Sequence, residues 1–225
     1  MIYVTGDTHG DKRRFTRGPL PRLLHRGDAL LVCGDFGFVW DGSPAEEKLL
    51  RWLGGRGYQI LFVEGTHDNL DLLERYPVEE LSPGAPAHHL GGGLWHLIRG
   101  QVYDVQGKSV LALGGGHSQE DVQREAGVNW WPQELPREEE LPGFRRILEA
   151  RGRRVDLVLS HQAPTNIEAC ITQGYREVTY LSAFMDEVQR DCGFGAWYFG
   201  SYHQNRRVPP KYHCLYDQVQ PVTEP

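Results

Sequence analysis

The stretch "IYVTGDTHG" (residues 2–10) contains the pattern that decides the fold and places the site. Its first four residues, Ile2–Thr5, are β-branched or aromatic and predict a short buried strand. Asp7 and His9 follow at once, and Gly6 permits the sharp turn by which the chain leaves the strand. A strand that ends in an acid and an imidazole predicts a functional site at its carboxyl end.

The same arrangement recurs after four further predicted strands. Strand 29–33 is followed by "GDFG" with Asp35, and strand 59–63 by "GTHDN" with His67 and Asp68. Strand 155–160 ends in "SHQAP" with His161, and strand 196–200 ends in "GSYHQN" with His203. Ligands of α/β proteins bind beyond the carboxyl ends of the strands, so we expect these loops to converge. Asp and His without thiolates suit Mn²⁺, Fe or Zn²⁺. One such turn is ordinary, but their joint occurrence predicts a metal centre.

Short strands alternate with amphipathic segments in the rest of the chain. Helices are predicted over 44–53, 68–76, 137–152 and 180–191, with Asp68 as an N-cap and an early break at Pro142. A hairpin within 97–116 turns at Gln106-Gly107, a strand is predicted over 212–216, and 81–96 stays unassigned. Mixed strands with covering helices favour an α/β fold of two sheets over a single doubly wound sheet. The length predicts one domain, 1–225.

Composition excludes several classes of protein. The net charge of −6 and the absence of a basic, aromatic track disfavour nucleic acid as a partner, and a nuclease is the least favoured enzyme. The four cysteines lack CxxC spacing and do not predict a disulfide framework. "MIYVTGD" is not typical of a signal peptide, and no apolar run is long enough for a membrane span. We therefore expect a cytoplasmic protein without a membrane partner.

The order of these motifs resembles that of the calcineurin-like metallophosphoesterases, over Thr5 to His203. The family pattern is D-x-H, then G-D, then G-N-H-[D/E], then a lone His after a strand, then G-H-x-H. "CGDFG", "HLIRGQVYDVQGK", "WWPQELP" and "HQAP" are similar to stretches of the small bacterial and phage-type metallophosphatases. The resemblance implies a four-layer sandwich, two stacked mixed β-sheets flanked by helices, with the site at the strand ends.

The resemblance also implies a two-ion site that hydrolyses a small phosphorylated substrate, with Mn²⁺ as the favoured metal. Two cations about 3.5–4 Å apart can clamp the phosphoryl oxygens and lower the pKa of a water. His67 would be the general acid for the leaving oxygen, and Asp68 could orient its ring. The first ion would be held by Asp7, His9, Asp35 and His203. The second would share Asp35 and use His161, the family's Asn before the catalytic His, and the first His of G-H-x-H.

Two positions depart from the family pattern, and both belong to the second ion. Thr66 stands in place of the Asn, and Ser201 in place of the first His of G-H-x-H. A neutral hydroxyl is a poorer ligand than an amide oxygen or an imidazole, so we expect one firmly bound ion and one weak ion. Natural divergence, loss of catalysis and engineering of positions 66 and 201 all remain open. An altered hydrolase is favoured because the general acid persists, and the alternative is a catalytically weak metal- or phosphate-binding protein.

The stretch 114–134 follows a predicted strand, and the resemblance places it beside the active site. Arg124 and His117 are therefore candidate substrate contacts, since the planar fork of Arg suits a phosphate oxygen. A solvated helix charge is the alternative interpretation of Arg124. The choice between monoester and diester, and the oligomeric state, stay open.

Overall fold

The computed structural model describes residues 1–118, 125–174 and 177–222. Its strands are β1 (Ile2–Thr5), β2 (Ala29–Val32), β3 (Gln59–Phe62), β4 (Val78–Ser82), β5 (Ala85–Gly91), β6 (Leu94–Leu97), β7 (Val102–Val105), β8 (Lys108–Leu113), β9 (Arg154–Ser160), β10 (Gly193–Phe199), β11 (Arg206–Val208), β12 (Tyr212–Cys214) and β13 (Val219–Pro221). Its helices are α1 (Arg13–Thr16), α2 (Leu20–Leu23), α3 (Pro44–Gly54), α4 (Leu70–Leu73), α5 (Leu141–Ala150), α6 (Thr165–Thr172) and α7 (Tyr180–Asp191).

The described strands form two sheets. The first has the order β13-β1-β2-β3-β6-β5-β4, and the second has the order β11-β12-β10-β9-β8-β7. Strands β1, β2, β3 and β6 run parallel, as do β8, β9, β10 and β12, while antiparallel strands complete the sheets. Both sheets are therefore mixed. The parallel centres bring the loops that follow β1, β2, β3, β9 and β10 to one edge of the molecule.

Three clusters of buried apolar side chains separate four layers. The middle cluster joins the two sheets, with Val4 and Leu31 from the first packed with Leu159 and Tyr198 from the second. A second cluster lies between the first sheet and helices α1–α4, and a third lies between the second sheet and α5–α7. Strands covered on both faces consist of nearly continuous apolar residues, as β2 ("ALLV") does. The predicted two-sheet sandwich is confirmed.

Two helix predictions are wrong in detail. The N-cap of α4 is Asn69, whose side chain accepts a hydrogen bond from the backbone N–H of Leu72, so Asp68 is not the cap and the helix is shorter than 68–76. Pro142 does not break a helix, because it lies in the first turn of α5. Backbone N–H groups in the first turn have no partner within the helix, so proline removes no helical hydrogen bond there. Segment 81–96, unassigned from sequence, contains the end of β4, all of β5 and all of β6 except Leu97.

Candidate metal centre

Four side chains from three loops meet at the carboxyl ends of β1, β2 and β10. One ligand atom from each lies within 4.8 Å of the others, in the set Asp7, His9, Asp35 and His203. The carboxyls of Asp7 and Asp35 are buried, whereas the His9 and His203 side chains are 30% and 52% exposed. The Nε2 atoms of His9 and His203 are 2.9 Å apart. Two carboxylates and two imidazoles that face one point form a donor set suited to a divalent transition metal.

The backbone at this edge adopts conformations that only a well-held loop maintains. His9, Asp35, Ser201 and His203 have positive φ angles of 45°, 43°, 69° and 48°. Each such residue costs about 1–2 kcal/mol relative to ordinary backbone. Hydrogen bonds between loops oppose that cost, since the amides of Thr8 and His9 both donate to the carbonyl of Asp35, at 3.0 and 2.9 Å. The ligands are thus aimed by the loops that carry them.

Two glycines allow the loops to approach the buried carboxylates. A Cβ on Gly200 would lie 2.0 Å from Oδ1 of Asp7, and a Cβ on Gly65 would lie 2.1 Å from Oδ1 of Asp35. No side chain can be accommodated at these distances. Glycine is therefore required at both positions by the packing of one loop against the ligand of another.

His161 is fully buried beside the same two carboxylates. Its Nδ1 lies 3.1 Å from the carbonyl oxygen of Cys33, so this nitrogen carries a proton and donates it there. Nε2 lies 3.4 Å from Oδ1 of Asp35 and is a buried atom without a hydrogen-bond partner among the described residues. A buried, unsatisfied imidazole nitrogen is costly, and a cation beside Asp35 would satisfy it. The residues present therefore accommodate a metal ion.

The pKa values of two neighbouring carboxyls at this edge are shifted in opposite directions. Burial alone would raise the pKa of Asp35, but His161 and His67 outweigh burial and hold that pKa well below its usual range. Burial and the charge of Asp35 raise the pKa of Asp68 to about 6, against the backbone amides that favour its anion. Asp35 is consequently in the anionic form that a metal ligand requires.

His67 and Asp68 follow β3 and make different contacts. The ring Nδ1 and the backbone amide of His67 lie 2.9 and 2.8 Å from the two carboxylate oxygens of Asp35. The carboxylate of Asp68 accepts hydrogen bonds from the amides of Gly37, Gly65 and Phe36, at 2.7, 2.9 and 3.2 Å. These contacts show Asp35 holding the ring of His67, the task that the sequence assigned to Asp68, whereas Asp68 joins the loops after β2 and β3.

Thr66 and Ser201 lie in the same loops as the cluster. Thr66 is buried, and its hydroxyl oxygen is 3.3 Å from Nδ1 of His67. Ser201 donates its backbone N–H to Asp7. Thr66 thus precedes a residue that contacts Asp35, and Ser201 contacts Asp7 through its backbone; the weakened second site stays a prediction.

Two predicted substrate contacts have different outcomes. The backbone N–H and carbonyl of His117 are bound by the side-chain amide of Gln162, at 3.0 and 3.1 Å, which places His117 next to the loop that carries His161. Arg124 lies outside the described residues. Its role stays a prediction.

Sequence reasoning missed one residue that contacts a candidate ligand and one buried carboxylate in the loop after β3. The guanidinium of Arg14 donates to the backbone carbonyl of Asp7, and Glu64 is a buried carboxylate bound by Arg99 and His96 at 2.8 and 2.9 Å. In the sequence, Arg14 is one charge in the polar run "DKRR", and Glu64 is one acid after a strand. Neither residue can be recognised from its neighbours in the sequence, because its contact partners are far away in the chain.

A comparison with known families decides the assignment. The model of the calcineurin-like phosphoesterases matches residues 1–205. The chain belongs to this family. The calcineurin-like phosphoesterase assignment and the Asp/His cluster together indicate a metal-dependent phosphoesterase with a phosphorylated substrate.

Other comparisons add little to the phosphoesterase assignment. The comparison with curated proteins gives no match. One solved structure, the protein of unknown function AQ665 from Aquifex aeolicus, is similar at 14% identity over 86% of this chain and 87% of that chain, with a TM-score of 0.35. Within the part of this phosphoesterase that the structure describes, the helices are too short or too polar to cross a membrane.

Proposed function

We propose that the protein hydrolyses small phosphate mono- or diesters with a divalent cation, and that His67 acts as the general acid. The observation that supports this proposal is the convergence of Asp7, His9, Asp35 and His203 within 4.8 Å. When bound, divalent cations neutralise phosphoryl charge as Lewis acids and lower the pKa of a water. A protein that binds phosphate esters at this edge would place the scissile group beside these four side chains.

One ion is proposed to bind firmly and a second weakly. The first has two carboxylates and two imidazoles, with Mn²⁺ as the favoured metal and Fe or Zn²⁺ as alternatives. The second keeps Asp35 and His161 as good ligands, while Thr66 and Ser201 supply neutral hydroxyls. The unsatisfied Nε2 of His161 supports a cation there, and the hydroxyls support a low affinity.

His67 is placed for proton transfer. Its side chain is 44% exposed, so a substrate can reach it, and the hydrogen bond that its Nδ1–H donates to Asp35 fixes the ring. Histidine titrates near neutral pH and can donate a proton to a leaving oxygen. Asp68 has a supporting role in this proposal, because its three amide hydrogen bonds hold the loop that carries His67. His117 and Arg124 are proposed as substrate contacts, and a cytoplasmic setting stays a prediction from sequence.

The test is hydrolysis of aryl phosphate monoesters and diesters with added Mn²⁺. His67→Ala should lower kcat by about 10²–10⁴-fold, the usual contribution of general acid catalysis, while metal content stays at the wild-type level. His25→Ala is the matched control, since His25 is exposed at the far end of β2 and should keep wild-type activity. Equal rates in the two variants would exclude His67 as the acid.

The second candidate function is a metal- or phosphate-binding protein with little catalysis, which the hydroxyls at positions 66 and 201 favour. Absence of hydrolysis with Mn²⁺, Fe²⁺ and Zn²⁺, together with calorimetric binding of inorganic phosphate, would replace the first proposal by this one.

A further inference from the structure

A cavity of about 640 Å³ opens directly beside the metal-ligand cluster. Asp7 and His9 form part of its wall, together with Arg13, Arg14 and Arg17. Tyr216 also lines the cavity, and its ring centroid is 4.7 Å from that of His203. The cavity therefore shares its walls with the place where a phosphoryl group would bind, and a substrate at the cluster would extend into it.

Arg14 contributes a mostly buried positive charge to this wall. Its guanidinium is mostly buried and donates to the backbone carbonyls of Asp7 and Tyr216 and to the hydroxyl of Thr5. All three acceptors are neutral oxygens, and the part of the chain that the structure describes contains no ion pair of Arg14. The carboxylates of Asp217 and Asp7 act on this guanidinium through space, without a hydrogen bond to it. A buried cation bound only by neutral oxygens favours an anion nearby.

Arg13 and Arg17 extend the positive charge along α1 and its C-terminus. Two nitrogens of Arg13 are held by Asp11 at 2.9 and 3.0 Å, which fixes the direction of this guanidinium. Arg17 is exposed and has no ion pair within the described ranges. The wall has three guanidiniums and three carboxylates, those of Asp7, Asp11 and Asp217. A divalent cation bound by Asp7 would neutralise that carboxylate and leave an excess of one positive charge, in a chain whose net charge is −6.

We propose that this cavity binds the non-reacting end of the substrate, and that this end carries a second phosphate. This inference rests on the proposed phosphoesterase function for the reacting end. Guanidinium groups bind phosphate through parallel N–H···O bonds, and a positively charged cleft beside a buried site concentrates dianions there. The substrate class is a small bisphosphorylated molecule whose two phosphates span the cluster and the arginine wall.

The test compares two esters that differ only in the second phosphate, butyl phosphate and butane-1,4-diol bisphosphate. With added Mn²⁺, the protein should hydrolyse the bisphosphate with a kcat/KM about tenfold higher than that of butyl phosphate. This factor is counted after correction for the two equivalent phosphates of the bisphosphate. A hydrogen bond to a charged group contributes about this much. Arg17→Gln should remove most of this preference. Arg22→Gln is the matched control, since Arg22 is exposed on α2 outside the cavity wall and should leave the ratio unchanged.

Binding provides a readout that needs no turnover. Titration calorimetry of butane-1,4-bisphosphonate and butylphosphonate should show the same preference in the wild-type protein and its loss in Arg17→Gln. A wild-type ratio near one, or a ratio that Arg17→Gln does not change, overturns the assignment of the cavity. If neither ester is hydrolysed by any of the proteins, the proposed function fails, and the phosphonate ratio alone decides whether the cavity binds a second phosphate.

Discussion

The backbone N–H of Ser201 donates to both carboxylate oxygens of Asp7, each at 3.0 Å. The peptide group of position 201, and not its side chain, therefore orients a carboxylate that is proposed to bind the first ion. Ser201 makes this contact with a left-handed φ of 69°. A change of side chain at position 201 is thus expected to alter the proposed second site while this contact to Asp7 persists.

Restoring the family ligands should therefore strengthen the second ion without disturbing the first. Thr66→Asn together with Ser201→His is expected to raise metal content after dialysis from about one ion per chain to two, and to raise kcat for aryl phosphates. His tolerates the left-handed backbone better than most residues, as His9 and His203 do here. Elemental analysis of the dialysed proteins measures the result.

The two single variants are the controls for this exchange, because each restores one ligand and should give an intermediate affinity for the second ion. Two tightly held ions in the wild-type protein would show that the hydroxyls do not weaken the site. An unchanged metal content in the double variant would show that positions 66 and 201 do not face the second ion.

The close packing of Gly200 against Asp7 predicts that adding a single methyl group at position 200 weakens metal binding. Gly200→Ala would place a Cβ 2.0 Å from Oδ1 of Asp7, so the carboxylate or the loop must move, and affinity for Mn²⁺ should fall by at least tenfold. Gly143→Ala is the control, because a Cβ there meets nothing within 4 Å, and alanine in a helix adds up to about 1 kcal/mol of stability. Metal titration of both variants checks this, and wild-type affinity in Gly200→Ala would contradict the packing argument.

The sequence predicts the architecture and the first metal site because both depend on local patterns. Strand residues such as Ile2–Thr5 and the acids and imidazoles after them are adjacent in the chain, and the parallel sheet brings those strand ends together. The helix predicted over 68–76 fails for a tertiary reason. The carboxylate of Asp68 is occupied by amides of the loop after β2, and Asn69 caps α4 in its place.

Long-range contacts of buried charges cannot be found by pattern. Arg14 reaches Tyr216, 202 residues away, and Glu64 reaches Arg99 and His96, 35 and 32 residues away. Each of these residues is an ordinary charge or polar group in its own segment. Their function appears only when the two sheets are stacked and the loops are closed, since that step decides which charges become buried.

The buried pair Glu64–Arg99 should be important for stability. Their side chains are only 4% and 13% exposed, with a 2.8 Å contact, and Nη2 of Arg99 also donates to the carbonyl of Gln133. Arg99→Met leaves the Glu64 carboxylate without its main cation, and breaking a buried pair in this way costs about 3–5 kcal/mol. The free energy of unfolding in urea measures the loss.

Arg151→Met is the matched control for this pair. Arg151 and Asp104 form an ion pair at 3.1 Å, but the two side chains are 33% and 47% exposed, and such a surface pair contributes about 0–1 kcal/mol. Equal losses in the two variants would show that burial does not set the contribution of Glu64–Arg99.

His88 should make the stability of the protein depend on pH below neutrality. His88 lines a second cavity, separate from the one beside the metal-ligand cluster. Its Nδ1 lies 2.9 Å from Nδ1 of His96. Burial, and then the neighbouring His96, lower the pKa of His88 from 6.5 to about 4, while Glu64 opposes the change. The other charged groups that line this cavity are Glu74, Arg99, Arg137 and Glu140. His88 is therefore neutral in the folded protein over a range in which it is protonated in the unfolded chain.

Because the unfolded state binds more protons between these two values, the contribution of His88 is fully present above pH 6.5 and declines as the pH falls towards 4. We expect the free energy of unfolding to decrease less between pH 7 and pH 4.5 in His88→Gln than in the wild-type protein. His25→Gln is the control, since its side chain is 80% exposed. Urea unfolding at pH 7, 5.5 and 4.5 measures the slopes, and parallel curves for wild type and His88→Gln would show that the His88–His96 pair does not exclude the proton.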